Sequence, residues 1–334
     1  MGKREAFTPL EYILFALVTV AVFCLCVSLG SVSIPIKTVL AALRDPESVS
    51  SAIVMTVRLP RVLCVALVGA ALSLSGAAMQ GLLKNPLADG STLGVSSGAA
   101  LGAVLAIACG IRFEALPLAG TTVMAVVFAF LSLLLILGLA YKLDGALSTN
   151  TIILIGVIFS MFVSSAMSIV ITFAPEKLRG ITFWTMGSLQ GATFAEAWLL
   201  LGALAVCSVI LLSRAQELNA FAVGEENAGH IGVNVRRTKL IVLITVSVLI
   251  GIAVSVSGTI GFVGLVTPHI VRLLVGPNHR KLLPASLFGG AVFLMLSDLA
   301  ARTLLSPLEL PIGVVTSLIG AVVFVLIFYR SRRR

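Results

Sequence analysis

The sequence predicts an all-α, polytopic membrane protein with about ten transmembrane helices and both termini cytoplasmic. Three observations carry that prediction. Of 334 residues, 59% are hydrophobic and only 11% charged, whereas soluble chains carry about a quarter charged residues. A globule of this length has too little interior to hide so much apolar surface from water. The apolar residues are also gathered into long uncharged runs, and the 23 Lys and Arg that outnumber 14 Asp and Glu are divided unevenly among the loops.

The first uncharged run, 12–36, follows Lys3 and Arg4. It is longer than the roughly 7–15 residue core of a signal peptide and reads as a retained first span. Further runs follow at 62–83, 90–111, 115–141 and 145–175, each near the roughly 20 residues a crossing needs. The stretch 180–195 holds Gly180, Trp184, Gly187, Gly191 and Ala192, a composition of an interfacial segment leading into a span at 192–213. The run 240–271 is too long for one crossing and is interrupted by Gly258, Gly261 and Gly264 before Pro268. It divides into a full helix and a short one. Runs at 282–297 and 310–329 complete the set.

Orientation follows from the basic residues, which favour cytoplasmic loops. With the termini inside, Lys3, Arg4, Lys84, Lys142, Arg214, Arg236, Arg237, Lys239, Arg272, Arg280, Lys281, Arg330, Arg332, Arg333 and Arg334 are cytoplasmic. Lys37, Arg44, Arg58, Arg61, Arg112, Lys177, Arg179 and Arg302 are external, fifteen against eight. The positive balance therefore reports membrane topology rather than nucleic-acid binding.

Several function classes fall away. No G-x-x-x-x-G-K-[ST] occurs, so this chain offers no phosphate cradle of that kind for ATP. Cys24, Cys26, Cys64, Cys109 and Cys207 all sit in apolar stretches without C-x-x-C spacing, which reads as buried thiols rather than a disulfide or metal framework. His230, His269 and His279 are too scattered for a catalytic or metal cluster.

Other features carry more. Small residues recur in the second span (Gly69, Ala70, Ala71, Ser73, Ser75, Gly76) and the third (Gly94, Ser96, Ser97, Gly98, Gly102), favouring close helix packing. The turn 83–90 contains Asn85-Pro86 and Asp89-Gly90, pairs that build rigid turns; it reads as a gate or as an ordinary tight connection. Within the internal loop 214–239, a short helix bounded by Gly224, Gly229 and Gly232 suits a partner's groove, with a solvated loop as the competing reading. Arg58, Arg61 and Arg302 run against the orientation rule. They suit bidentate pairing with carboxylates of a docking protein, or snorkelling to head groups. Asp298, four residues before Arg302, is spaced for a same-face pair, and pairing is the expected state at that depth.

Assembled in order, these blocks resemble the FecCD-type permeases of bacterial ABC importers for iron-siderophores, haem and vitamin B12. The carrying residues are Arg58-Leu59-Pro60-Arg61, Val68-Gly69-Ala70-Ala71-Leu72 with Ser75-Gly76 and Gln80, and Asn85-Pro86-Leu87-Ala88-Asp89 with Leu93-Gly94-Val95-Ser96 and Gly98-Ala99. They continue through Phe183 to Leu189, Gly224 to Asn234, Gly261 to Val266 with Pro268-His269, and His279-Arg280 with Leu283-Pro284. Asp298 to Arg302 and Glu309 to Gly313 close the series.

The resemblance implies a type II ABC importer permease fold, with residues 1–334 forming one transmembrane permease domain of the bacterial cytoplasmic membrane. It implies a second permease subunit, identical or not, two ATPase subunits inside and an extracytoplasmic substrate-binding protein. ATP and Mg would be held by the ATPase, leaving no cofactor on this chain. By the same resemblance, Arg58, Arg61 and Arg302 look like docking positions for acidic residues of the binding protein. Gly224, Glu225, Ala228 and Gly232 look like the segment coupled to the ATPase, although Gly229-His230-Ile231 departs from the more usual polar-polar-Leu. Asn85, Pro86 and Leu87, with Thr149 and Asn150, look like the cytoplasmic gate, Asn150 standing where a smaller Ser can occur.

The leading expectation is therefore alternating-access import of a bulky iron chelate, a ferric siderophore first and haem or vitamin B12 as alternatives, with no covalent reaction on this chain. An ion-coupled secondary transporter would need intramembrane acids, for which only Asp298 is a candidate. A membrane enzyme would need a nucleophile, base or metal constellation, and none is visible.

Overall fold

The computed structural model describes residues 8–30, 35, 37–39, 49–111, 113, 119–145 and 147–332. Lys3, Arg4, Arg44, Arg112, Arg333 and Arg334, used above for orientation, lie outside them, as do residues 31–34 and 36 of the first uncharged run.

The described elements are helical throughout. They are α1 (Pro9–Ser28), α2 (Val49–Ile53), α3 (Leu59–Leu83), α4 (Val95–Cys109), α5 (Gly120–Leu143), α6 (Thr149–Phe173), α7 (Leu178–Thr185) and α8 (Phe194–Ser213). Then come α9 (Ala215–Phe221), α10 (Glu225–His230), α11 (Val235–Ser257), α12 (Val263–Val275), α13 (His279–Thr303) and α14 (Ile312–Arg332). Seven helical stretches are long and apolar enough to cross a bilayer, and α4, α12 and the apolar part of α14 are shorter. These helices overlap the stretches where the sequence predicted spans, seven of them with the length and apolarity of a crossing.

The helix around Arg58 and Arg61 begins earlier than the charge-free run 62–83 suggested. Helical backbone starts at Val49 and passes through a π-turn, Val54–Arg58. Pro60 supplies the reason, because a proline ring clashes with the carbonyl four residues back. The widened turn relieves that clash, and the Leu59 N–H reaches the Val54 carbonyl instead. The two arginines stay inside the helix because their charges are neutralised within the fold, as described below.

Helix α3 is the hub. In the apolar window of the helical stretch 51–83, which contains α3, 83% of residues are buried, against 11% in α1, so α1 lies at the periphery of the bundle while α3 is enclosed by it. Its most extensive partner is α13, with α11 and α12 also packed on it. Glycines set the approach: a Cβ at Gly76 would collide with the Gly264 carbonyl, and one at Gly69 with that of Gly290. Lipid tails provide no hydrophobic drive between helices, so such close backbone contact carries the association.

Helices α11 and α12 are separated at Gly258–Phe262, as the glycines predicted, but α12 continues through Pro268 to Val275. Proline cannot donate to the carbonyl four residues earlier. That carbonyl belongs to Gly264, and the Gln80 side chain approaches it (3.4 Å) while donating to Leu265 O (3.1 Å). Arg272 Nη2 then donates to Gln80 Oε1 at 2.9 Å. A partner helix thus satisfies backbone that the proline left open.

The interfacial segment predicted at 180–195 is α7 followed by an irregular turn into α8. Its Gly187 has φ of 77° and lets Ser188 N–H reach Ser257 O at 2.8 Å. Ile312 N–H bonds Gly187 O at 3.0 Å. The Phe183–Leu189 block is therefore the piece that seals the α11–α12 break against the start of α14.

Candidate functional site

Three regions concern function: one end of the bundle, where the arginines lie; an internal cavity; and the opposite end, formed by the connections between α3 and α4, α5 and α6, and α8 and α11.

At the first end, Arg58, Arg61 and Arg302 converge. Arg61 donates from Nε and Nη2 to Asp298 Oδ1 (3.1 and 2.9 Å) and from Nη1 to Glu309 Oε2 (2.9 Å). Arg302 Nε lies 2.9 Å from Asp298 Oδ2, the same-face pair expected from spacing. Asp298 is thus shared between two guanidinium groups.

The remaining donors meet the C-terminus of α1, whose last carbonyls lack helical partners. Arg58 Nη1 donates to Val27 O and Ser28 O, each at 3.0 Å, and Arg302 to Cys26 O (3.2 Å) and Leu29 O (3.4 Å). The negative end of the helix dipole adds to the match. The three arginines are only 4–7% exposed, so they are built into the corner rather than projecting from it. The sequence placed them on one face but showed neither the α1 cap nor the reach from Arg61 to Glu309.

The cavity, of roughly 370 Å³, lies between Leu72 of α3, Ile250 and Val254 of α11, the break at Thr259–Phe262, and Leu87 and Asp89 of the 84–89 turn. A wider cleft, roughly 600 Å³, opens beside α7 and the start of α8, with Thr122, Trp184, Gln190 and Glu196 in its wall. The cavity wall is mainly apolar with Asp89, Ser96 and Thr259 as polar groups, whereas the cleft wall is mixed and carries Arg179 beside Gln190 and Glu196. Among the described residues no group of three or more His, Cys, Asp or Glu is placed to hold a metal ion.

At the opposite end the candidate gate and coupling residues come together. Helix α3 closes at Lys84, whose φ is 49°, and Asn85 Oδ1 accepts from the Leu87 N–H at 2.9 Å. The side-chain bond fixes a tight turn that leaves Leu87 exposed and Ala88 fully buried. Thr149 and Asn150 open α6, behind a cap in which Asp144 Oδ2 accepts from Ser148 N–H (2.9 Å) and Thr151 Oγ1 (3.2 Å).

Gly224, with φ of 122°, turns the chain into α10. Ala228 is buried beneath it, while Val223 and Ile231 are 66% and 69% exposed at its two ends. A Cβ on Gly224 would sit 3.7 Å from Lys84 Nζ, so α10 starts beside the 84–87 turn. Lys239, counted above as a loop cation, is instead 1% exposed in the second turn of α11. Its Nζ donates to Glu225 Oε2 (2.7 Å) and Leu147 O (3.0 Å). Sequence reading missed this residue, because nothing local distinguishes it from Arg236 and Arg237.

An all-helical multi-pass bundle, broken at the cavity wall and closed by short turns at one end, is the architecture of a transport permease of the cytoplasmic membrane. The chain belongs to the FecCD transport family, whose model matches residues 18–330. It is 42% identical to an uncharacterized ABC transporter permease protein, YvrB, of Bacillus subtilis, over 99% of this chain and 98% of that one. It is 41% identical to the cobalamin import system permease protein BtuC of Halobacterium salinarum, over 84% of this chain and 73% of that one. With the hemin transport system permease protein HmuU of Yersinia pestis it shares 39%, over 84% of each. A solved inward-facing structure, assigned to the metal-chelate type of ABC transporter, superposes with a TM-score of 0.86 at 34% identity, covering 97% of this chain and all of the other.

Proposed function

We propose that this chain is the membrane-spanning subunit of an ATP-driven importer that admits a bulky, preformed chelate. Both termini and the α10 end face the cytoplasm, and the arginine end faces outward, an orientation supported by the fifteen-to-eight division of basic residues. The observation that carries the reading is the meeting of α10 with both inner turns, under two exposed apolar side chains that suit a partner's groove. A cytoplasmic ATPase seated on Val223, Glu225 and Ile231 would press directly on the 85–87 and 149–150 segments, whose movement opens and closes the cavity.

The cargo is read as a tetrapyrrole-sized chelate, haem or cobalamin, with a ferric siderophore as the competing class. Support comes from the relatives named for cobalamin and hemin. The cavity's scattered polar groups favour weak contact and release, so selectivity resides mainly in the external binding protein. That protein docks at the corner of Arg58, Arg61 and Arg302, where three guanidinium groups converge in a way that suits acidic residues of a partner. A second permease, an identical copy or a homologue, completes the pathway. Fluorescence quenching of the cognate binding protein by haemin, cyanocobalamin, a ferric siderophore and molybdate tests the cargo: saturable quenching by either tetrapyrrole alone supports the reading, and quenching only by the siderophore or by molybdate replaces it.

A further inference from the structure

We infer that Lys239 is a positioning residue that yokes α10 to the start of α6, so that the ATPase-facing helix and one half of the inner gate move as a unit. The inference rests on the reading above that α10 receives the ATPase.

The geometry is specific. A lysine that is 1% exposed costs stability unless its ammonium is paired and hydrogen-bonded. Both partners of Lys239 lie outside its own helix. Glu225 Oε2 belongs to the first turn of α10, and Leu147 O belongs to the α5–α6 connection, two residues before Thr149. Separating α10 from that connection would strip a buried cation of one partner, so the two segments shift together more readily than apart.

The described residues of the connection are held by several contacts. Leu147 is fully buried with φ of 53°, a conformation a leucine holds only when its surroundings impose it. Its N–H bonds Asp144 O at 2.9 Å, and Asp144 in turn caps α6 through Ser148 and Thr151. A movement of Glu225 is therefore delivered through one ammonium group to Leu147 and the capped start of α6 at Thr149 and Asn150.

The 84–87 turn also approaches α10, with the exposed Lys84 beside Gly224. The α5–α6 connection is thus joined to α10 through one buried ammonium group, whereas the 84–87 turn approaches α10 at the surface.

The test uses the full chain, in a cysteine-free background, assembled with its ATPase in nanodiscs. Spin labels at Glu226→Cys and Gly145→Cys, both exposed positions, report the α10-to-turn distance, and a label at Leu274→Cys on α12 serves as reference. Distances are read without nucleotide and after trapping with ATP and vanadate. The expected result is that 226 and 145 both move relative to 274 while their mutual distance stays constant. In Lys239→Met the mutual distance changes between the two states. In the same variant the nucleotide-dependent change in labelling of Asn150→Cys by an impermeant thiol reagent falls by about tenfold.

Should Lys239→Met fail to fold, Glu225→Ala, altered at a partly exposed position, makes the same comparison. A mutual distance that changes equally in the native chain and in either variant overturns the yoke while leaving the transport reading in place. A label at 226 that does not respond to ATP in the native chain overturns both.

Discussion

Arg61 Nη2 and Asp298 Oδ1 lie 2.9 Å apart, joining α3 to α13 through side chains that are 8% and 1% exposed. The same carboxylate holds Arg302, so one acid fixes two cations at a single corner of the bundle. Removing one partner of a buried ion pair leaves the other uncompensated and costs about 3–5 kcal/mol.

Asp298→Ala is therefore expected to lower stability by about 3 kcal/mol. Glu309→Gln, at a side chain that is 28% exposed, should cost about 1 kcal/mol or less. Thermal unfolding of the detergent-solubilised variants gives the comparison, and equal losses would show that Asp298 has no special share in the corner.

Helix contact through glycine makes a second contrast. Gly76→Ala places a methyl group against the Gly264 carbonyl and should destabilise by about 1–3 kcal/mol. Gly202→Ala in α8, where a Cβ meets nothing within 4 Å, should be neutral or stabilising by up to about 1 kcal/mol. Thermal midpoints of the two variants check the order.

Arg58→Glu or Arg61→Glu is expected to weaken capture of the binding protein while the ATPase still co-purifies. Because these side chains are buried, each variant's melting temperature must be measured beside its affinity. Undiminished docking in both, and in Arg302→Glu, removes the arginine corner from the docking surface.

On the opposite side, Gly224→Val forces a side chain into a backbone with φ of 122°, a conformation L-residues rarely adopt. Receptor-stimulated ATP hydrolysis by the reconstituted complex should fall by about tenfold. Normal stimulation would separate this segment from the ATPase interface.

Much of the fold was legible because the bilayer imposes length and polarity on every span: the break at Gly258 and the absence of a full-length helix at 180–195 could both be read from glycine spacing. Helix ends were less legible. Arg58 and Arg61 looked like a boundary, yet they lie within continuous helix, since distant Asp298, Glu309 and the α1 carbonyls neutralise them. Pro268 lies inside α12, where the distant Gln80 serves the backbone it leaves open. The tight turn at 83–90 and the short helix after Gly224 were legible from Asn-Pro, Asp-Gly and glycine spacing, whereas their gate and coupling roles remain proposals. Lys239, whose partners are 14 and 92 positions away, carried no local signal.

The central claim is that the chain is a conduit whose shape changes are imposed by other subunits. Proteoliposomes containing the permease alone, or the permease with its ATPase and binding protein, can be loaded with ATP and supplied externally with the chelate that the binding protein takes up. Accumulation above the external concentration only in the complete assembly, and only with hydrolysable ATP, is the predicted result; accumulation by the permease alone under an ion gradient would contradict it.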